Sequence, residues 1–74
     1  MPIVNITMWK SDNDDLKHNI MKKIAKTIQE ETGVRADKIT VYITEIPNYN
    51  WSDAGIIGNN PNFLELSSRH KIDD

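Results

Sequence analysis

The chain has 74 residues, no cysteine and a formal net charge of −2 at pH 7. A domain of this size buries only about 60% of the surface of its unfolded chain, so it needs a disulfide, a metal or a partner subunit for stability. The composition excludes disulfides and thiolate metal sites, and the two histidines have no ligand spacing. The charge offers no basic footprint for nucleic acid, and no apolar run reaches the ~20 residues of a membrane span. We therefore expect a self-associating, cytoplasmic protein that binds neither nucleic acid nor membrane.

The first predicted element is a strand over Ile3–Trp9. Alternate residues of a strand share a face, and one face here is uniformly apolar and consists of Val4, Ile6 and Met8. The next predicted element is an amphipathic helix over Leu16–Thr32, because apolar residues recur at every fourth position. Gly33 suits the left-handed residue that ends a helix. The candidate N-caps of this helix are Ser11, Asp12 and Asn13.

The second predicted strand covers Ile39–Ile46, which is rich in β-branched residues and is followed by Pro47. The order strand, helix, strand predicts a β-α-β unit of the α+β class, with two parallel strands and a right-handed crossover. Turn residues on both sides predict a short C-terminal hairpin around Ala54–Gly58.

The end of the chain gives weaker signals. We interpret residues 1–74 as a single domain in which residues 59–74 form a partly flexible C-terminal extension, with fraying over Arg69–Asp74. The apolar side chains that we expect to dock this extension on a neighbouring subunit are Phe63, Leu64 and Leu66.

A two-stranded sheet covered by one helix cannot protect itself from water. One face of the sheet remains exposed to solvent, and the backbone groups along both of its edges remain unpaired. Edge-to-edge pairing of such units, followed by face-to-face packing of the sheets, removes both problems. The sequence therefore predicts a homo-oligomer.

Pro2 is the candidate catalytic residue. Removal of Met1 before a small residue would leave a secondary amine on a rigid ring at the start of the first strand. An α-amino group has a reference pKa of ~7.7–8.0, and an apolar, partly desolvated site with nearby cations lowers the pKa of an amine. A general base works best when its pKa is near the operating pH. The alternative is a structural proline, which is harmless at the start of a strand.

Several segments, in their order along the chain, resemble the 4-oxalocrotonate tautomerase family over residues 1–58. They are Met1-Pro2-Ile3-Val4-Asn5-Ile6 followed by Trp9-Lys10, the helix with its terminal Thr32-Gly33, the strand Ile39–Ile46 with Pro47, and Asn50-Trp51-Ser52-Asp53-Ala54-Gly55. The resemblance implies a β-α-β tautomerase subunit in which Pro2 moves a proton between carbon and oxygen of a 2-oxo acid. It also implies that no cofactor or metal is used, and that the subunits form a homohexamer (a trimer of dimers) or a dimer.

Two positions depart from the family's pattern. Well-characterised members have an arginine just before the helix, where this chain has Asp12, and another early in the second strand, where this chain has Thr40. In those members the arginines bind substrate carboxylates and stabilise the oxyanion, whereas Asp12 would repel a dicarboxylate. By its position Thr40 stays a candidate for substrate binding, and Lys10 is the first candidate for a replacement cation. The other candidate cations are Arg35, Lys38, Arg69 and Lys71.

Two tryptophans are candidate pocket walls. Trp51 stands where the family has an aromatic residue that lines the pocket and keeps the proline amine in apolar surroundings, which disfavour the charged amine. Trp9 is a second candidate wall. The alternative for each is a packing role, in the subunit or at an interface.

Three functions stay open at this level. The first is a proton-transferring isomerase acting on a small carboxylate, such as the monocarboxylate phenylenolpyruvate. The second is a hydratase-like or dehalogenase-like relative with Pro2 as acid and Asp53 as base, although the turn cap is the favoured role for Asp53 after Ser52. The third is an oligomer that kept the fold without the chemistry.

Overall fold

Two parallel strands form the centre of the subunit. In the computed structural model, which describes residues 1–72, β1 (Ile3–Trp9) pairs with β2 (Thr40–Ile46) in a register that runs from Ile3 opposite Thr40 to Trp9 opposite Ile46. The helix α1 (Asp14–Thr32) connects them, and a short 3-10 turn (Ala36–Lys38) precedes β2. The predicted β-α-β unit and its parallel pairing are confirmed.

Helix α1 is closed at both ends by the chemistry of its flanking residues. At the start, Asn13 Oδ1 accepts a hydrogen bond of 3.0 Å from the backbone N–H of Leu16. At the end, Gly33 adopts φ 73°, and its N–H donates to the Gln29 carbonyl oxygen at 2.9 Å. Because Asn13 is the cap, the helix begins at Asp14, two residues earlier than the apolar pattern indicates.

Helix α1 packs against one face of the sheet and leaves the other uncovered. The residues on the covered face of β1 are half-buried, whereas alternate residues on the open face are exposed. Large apolar groups on the open face include Ile3, Trp9 and Tyr42, which are 67%, 64% and 49% exposed. No residue within 1–72 is fully buried. The isolated subunit therefore has no dry core of its own.

A carboxylate joins the start of α1 to the end of β2. Glu45 accepts hydrogen bonds from the Ser11 backbone N–H at 2.7 Å and from Lys17 Nζ at 2.9 Å. Lys17 also contacts Asp14 at 3.2 Å. The hydrogen bond to Glu45 raises the pKa of Lys17 above 10.5, and the same bond lowers the pKa of Glu45 below 4.5.

The chain after β2 folds back as a hairpin and a short helix. Strands β3 (Ser52–Asp53) and β4 (Ile56–Ile57) are antiparallel, and Ala54 and Gly55 between them have φ of 53° and 81°. Positive φ at both central residues is what a type I′ turn requires. The predicted hairpin is present over this segment.

The helix α2 (Phe63–Ser67) follows and packs against β4. Arg69 is fixed beyond it, because Nε and Nη2 both donate to the Ala54 carbonyl oxygen, at 3.1 and 2.5 Å. The fraying expected over Arg69–Asp74 includes Asp73 and Asp74, which lie outside the described residues. Within residues 1–72, neither helix is both long enough and apolar enough to span a bilayer.

Candidate active site

Three aromatic rings form a cluster where β1 ends. The rings of Trp9 and Trp51 are stacked with centroids 4.8 Å apart and planes within 5° of parallel. Phe63 meets Trp51 edge-on at 5.2 Å. Gly58 lies so close to Trp51 that an added Cβ would be 2.5 Å from Cζ2 of the indole. The Trp51 side chain thus packs against the end of β1, against Gly58 and against the start of the C-terminal segment at Phe63.

A cleft of about 610 Å³ opens beside this cluster. Its walls come from the end of β1, the segment after β2 and the start of α2, and they consist of Trp9, Lys10, Pro47, Asn48, Tyr49, Trp51, Gly58, Phe63 and Leu64. Among these described residues Lys10 is the one charged side chain. The volume and the largely apolar lining with few polar groups are typical of small-molecule sites. The structure therefore brings together three of the predicted site residues, Trp9, Lys10 and Trp51.

Asp53 is not a wall of this cleft but lies beside the same two tryptophans. It lines a second cleft, of about 470 Å³, together with Thr7, Met8, Trp9, Ile46 and Trp51. Its side chain is exposed and makes no hydrogen bond to the described residues, so the turn-capping role is not observed. The backbone of Ala54 and Gly55 forms the turn by itself.

Pro2 and Thr40 lie at the opposite end of the sheet. The Thr40 N–H donates to the Pro2 carbonyl oxygen at 3.1 Å, which fixes the start of β1 beside the start of β2. Pro2 precedes Trp9 by seven residues, about 23 Å along a strand that rises ~3.3 Å per residue. One subunit therefore does not place Pro2 in the cleft that holds Lys10 and Trp51.

Six of the nine cleft residues are not among the predicted site residues, namely Pro47, Asn48, Tyr49, Gly58, Phe63 and Leu64. Tyr49 and Gly58 belong to segments that indicate only turns, and the close approach of Gly58 to an indole has no local signal. Phe63 and Leu64 were expected to dock on a neighbouring subunit, but Phe63 packs against Trp51 of its own subunit. The β3–β4 hairpin folds the extension back over its own chain, which is a tertiary effect without a sequence pattern.

Trp51 Nε1 is buried and has no hydrogen-bond acceptor among the described residues. Buried polar groups normally have a partner, so this donor is an exception that a ligand or a second subunit would resolve. Within residues 1–72 there is no group of three His, Asp or Glu side chains placed to hold a metal ion.

Comparison with known proteins defines the class. The family model described as "Tautomerase enzyme" matches residues 1–54. The chain is 33% identical over 55 residues to 2-hydroxymuconate tautomerase of Bacillus subtilis (strain 168). The matched residues cover 74% of this chain and 89% of the relative. It is 30% identical over 56 residues to 2-hydroxymuconate tautomerase of Pseudomonas putida, with 76% and 89% covered. The chain belongs to the tautomerase enzyme family.

Solved structures give the same fold. The crystal structure of YwhB, a homologue of 4-oxalocrotonate tautomerase, superposes with a TM-score of 0.73 at 29% identity, over 80% of this chain and 97% of that one. A heterohexameric 4-oxalocrotonate tautomerase from Chloroflexus aurantiacus J-10-fl superposes with a TM-score of 0.75 at 20% identity, over 82% and 98%. The predicted tautomerase-type fold and the predicted family are confirmed.

Proposed function

We propose that this protein is an isomerase of the cytoplasm that interconverts the enol and keto forms of a small 2-oxo carboxylic acid, with the Pro2 nitrogen as general base after removal of Met1. The observation that carries the proposal is the family match over residues 1–54, which includes Pro2 at the start of β1. The Met1 side chain is 84% exposed, so the terminal peptide is open to an aminopeptidase.

The chemistry requires one proton to move. The Pro2 amine takes the proton from the enol hydroxyl, the O–C bond becomes a carbonyl, and the carbon–carbon double bond takes a proton back from the protonated amine. Lys10, the charged side chain in the cleft, is the candidate partner for the substrate carboxylate. The tryptophan walls exclude water, which disfavours the charged form of the amine and favours a pKa near neutrality.

A complete site needs two subunits, because Pro2 and the cleft lie at opposite ends of one sheet. A two-fold axis that runs the strands of two copies antiparallel brings Pro2 of one copy to the cleft of the other and forms two equal sites. The open face with Ile3, Trp9 and Tyr42 supplies apolar surface for association. We propose a dimer of this kind as the minimal unit, with face-to-face packing of three dimers giving a homohexamer.

Intact mass and kinetics test the proposal. We expect the purified protein to lack Met1 and to accelerate ketonisation of phenylenolpyruvate. Pro2→Ala should lower kcat/KM at least about 100-fold, because general-base catalysis contributes ~10²–10⁴. A variant that carries two extra residues before Pro2 has a non-basic amide nitrogen there and should be inactive with an unchanged circular dichroism spectrum. Equal activity of wild type and Pro2→Ala would exclude Pro2 as the base.

A second candidate function rests on Asp53, which lines the smaller cleft beside both tryptophans. In that alternative, Pro2 is the acid and Asp53 activates water for addition to an unsaturated acid. Asp53→Asn separates the two functions, since it should abolish hydration and leave ketonisation unchanged. Wild-type protein without either activity would favour a non-catalytic oligomer.

A further inference from the structure

The C-terminal segment contributes walls to the cleft that lie outside the family match. The matched region ends at residue 54, whereas Gly58, Phe63 and Leu64 all line the cleft. Phe63 is fixed edge-on against Trp51, and Leu64 extends beside it with 82% of its surface exposed. An exposed leucine at the mouth of a cleft is a surface that an apolar ligand group can cover.

Arg69 fixes this segment at a second point, beyond α2. Its two hydrogen bonds to the Ala54 carbonyl oxygen tie Arg69, two residues beyond α2, to the turn of the β3–β4 hairpin. Ala54 is one of the two residues of that turn with positive φ. The segment is therefore anchored at Phe63 and again at Arg69, with α2 between the two contacts.

The charges of the cleft are compatible with one carboxylate. Lys10 is the one charged residue among the cleft walls within residues 1–72. The salt bridges of the described residues are made by Lys17 and Arg35, and Lys10 takes part in none of them. A second carboxylate placed against Phe63 and Leu64 would lose hydration without gaining a partner from either side chain. An aryl group in the same position would bury apolar surface against both side chains.

We propose that the segment Asn62–Ile72 is a specificity element that makes this cleft select monocarboxylates with an aryl or similarly apolar substituent over dicarboxylates. The inference rests on the proposed function to the extent that the cleft is the substrate site. Leu64 and Phe63 contact the substituent, and Arg69 is a positioning residue that acts through the placement of α2.

Calorimetric titration with two unreactive planar acids tests this directly. Cinnamate carries a phenyl group where muconate carries a second double bond that ends in its second carboxylate, and neither has an enol. We expect cinnamate to bind wild type at least about tenfold more tightly than muconate. Leu64→Ala should weaken cinnamate about fivefold, a typical loss for a truncated apolar contact, and leave muconate unchanged. Leu66→Ala is the matched control, because Leu66 lies on α2 outside the cleft walls and should change neither affinity.

Arg69→Met removes both donors to Ala54 and should weaken cinnamate as Leu64→Ala does, again without an effect on muconate. Equal or tighter binding of muconate, equal effects of Leu64→Ala and Leu66→Ala, or an altered solution mass of Leu64→Ala would overturn the proposal. The last of these would make Leu64 a subunit contact. Binding needs no proton transfer. If the protein bound cinnamate selectively but did not catalyse ketonisation, the proposed function would be refuted and the specificity proposal would stand.

Discussion

Gly58 shows how one missing side chain sets the geometry of the site. An added Cβ would lie 2.5–2.6 Å from three carbons of the Trp51 indole, and the rigid indole is held by Trp9 on one side and Phe63 on another. Gly58→Ala must therefore displace the whole ring cluster. We expect a loss of about 1–3 kcal/mol in the free energy of unfolding, which is the usual cost of overpacking, and a reduced near-ultraviolet circular dichroism signal from the tryptophans.

Asn59→Ala is the matched control for this variant. Asn59 follows Gly58 directly, is exposed, and is not a wall of the cleft. It should leave both the unfolding midpoint and the tryptophan signal unchanged. If Gly58→Ala behaved in the same way, the close packing of Gly58 on Trp51 would not exist in solution.

At the scale of elements, Glu45 joins α1 to β2 by accepting from both Ser11 and Lys17. Since these bonds lower its pKa, the folded state binds the proton more weakly than the unfolded state does. The stabilisation is then complete above the ordinary value of 4.5 and is lost as pH falls through the lower, folded-state pKa. Lys17 has the opposite sign, because its raised pKa gives stabilisation that is lost only above 10.5.

Glu45→Gln makes this pH dependence measurable. At pH 7 the variant should unfold at a lower denaturant concentration than wild type, because Lys17 loses its ionised acceptor. The difference should shrink as pH falls below 4.5, where the wild-type carboxylate becomes protonated. Denaturation at fixed protein concentration from pH 7 to pH 3 gives the comparison, since oligomers unfold with a concentration dependence. A difference that is independent of pH would mean that the ion pair contributes nothing and that shape alone matters.

The sequence predicted those elements whose signals are local. The alternation in β1 gave its bounds, and Gly33 fixed the end of α1 because only a residue tolerant of positive φ completes that cap. The five-residue α2 has no side-chain cap hydrogen bond, and its position depends on Phe63 meeting Trp51 and on Arg69 meeting Ala54. Those two contacts join residues that are 12 and 15 positions apart in the chain, so no local sequence pattern predicts them.

The same distinction applies to the candidate site. Trp51 was chosen from the resemblance, and Trp9 and Lys10 from their place at the end of the first strand. All three lie on one cleft, while Pro2 and Thr40 lie at the other end of the sheet. Residue types and spacing indicate what chemistry is available. The strand predicted over Ile3–Trp9 already separates Pro2 from Trp9 and Lys10, but no sequence pattern indicates that Trp51 joins these two residues at the far end of the sheet.

At the scale of the whole molecule, the absence of a fully buried residue within 1–72 and the separation of Pro2 from the cleft have one common explanation. In the proposed dimer, association supplies the missing burial and brings Pro2 of one subunit to the cleft of the other. A subunit that buries little apolar surface alone has little to offset its loss of chain entropy. Folding, assembly and activity should therefore be lost together on dilution.

Subunit mixing tests whether the site is shared. Pro2→Ala removes the proposed base and Lys10→Met removes the proposed carboxylate partner, so each variant alone should have low kcat/KM. When the two are mixed and exchanged through denaturant, about half of the dimers are mixed, and each of these has one site with both native residues. The activity should therefore recover to about a quarter of wild type, provided that the two-fold arrangement is correct. Each variant exchanged with itself is the control and should stay inactive. If the mixture gave no recovery, Pro2 and Lys10 would have to act within one subunit, and the strand register described above could not hold in the active enzyme.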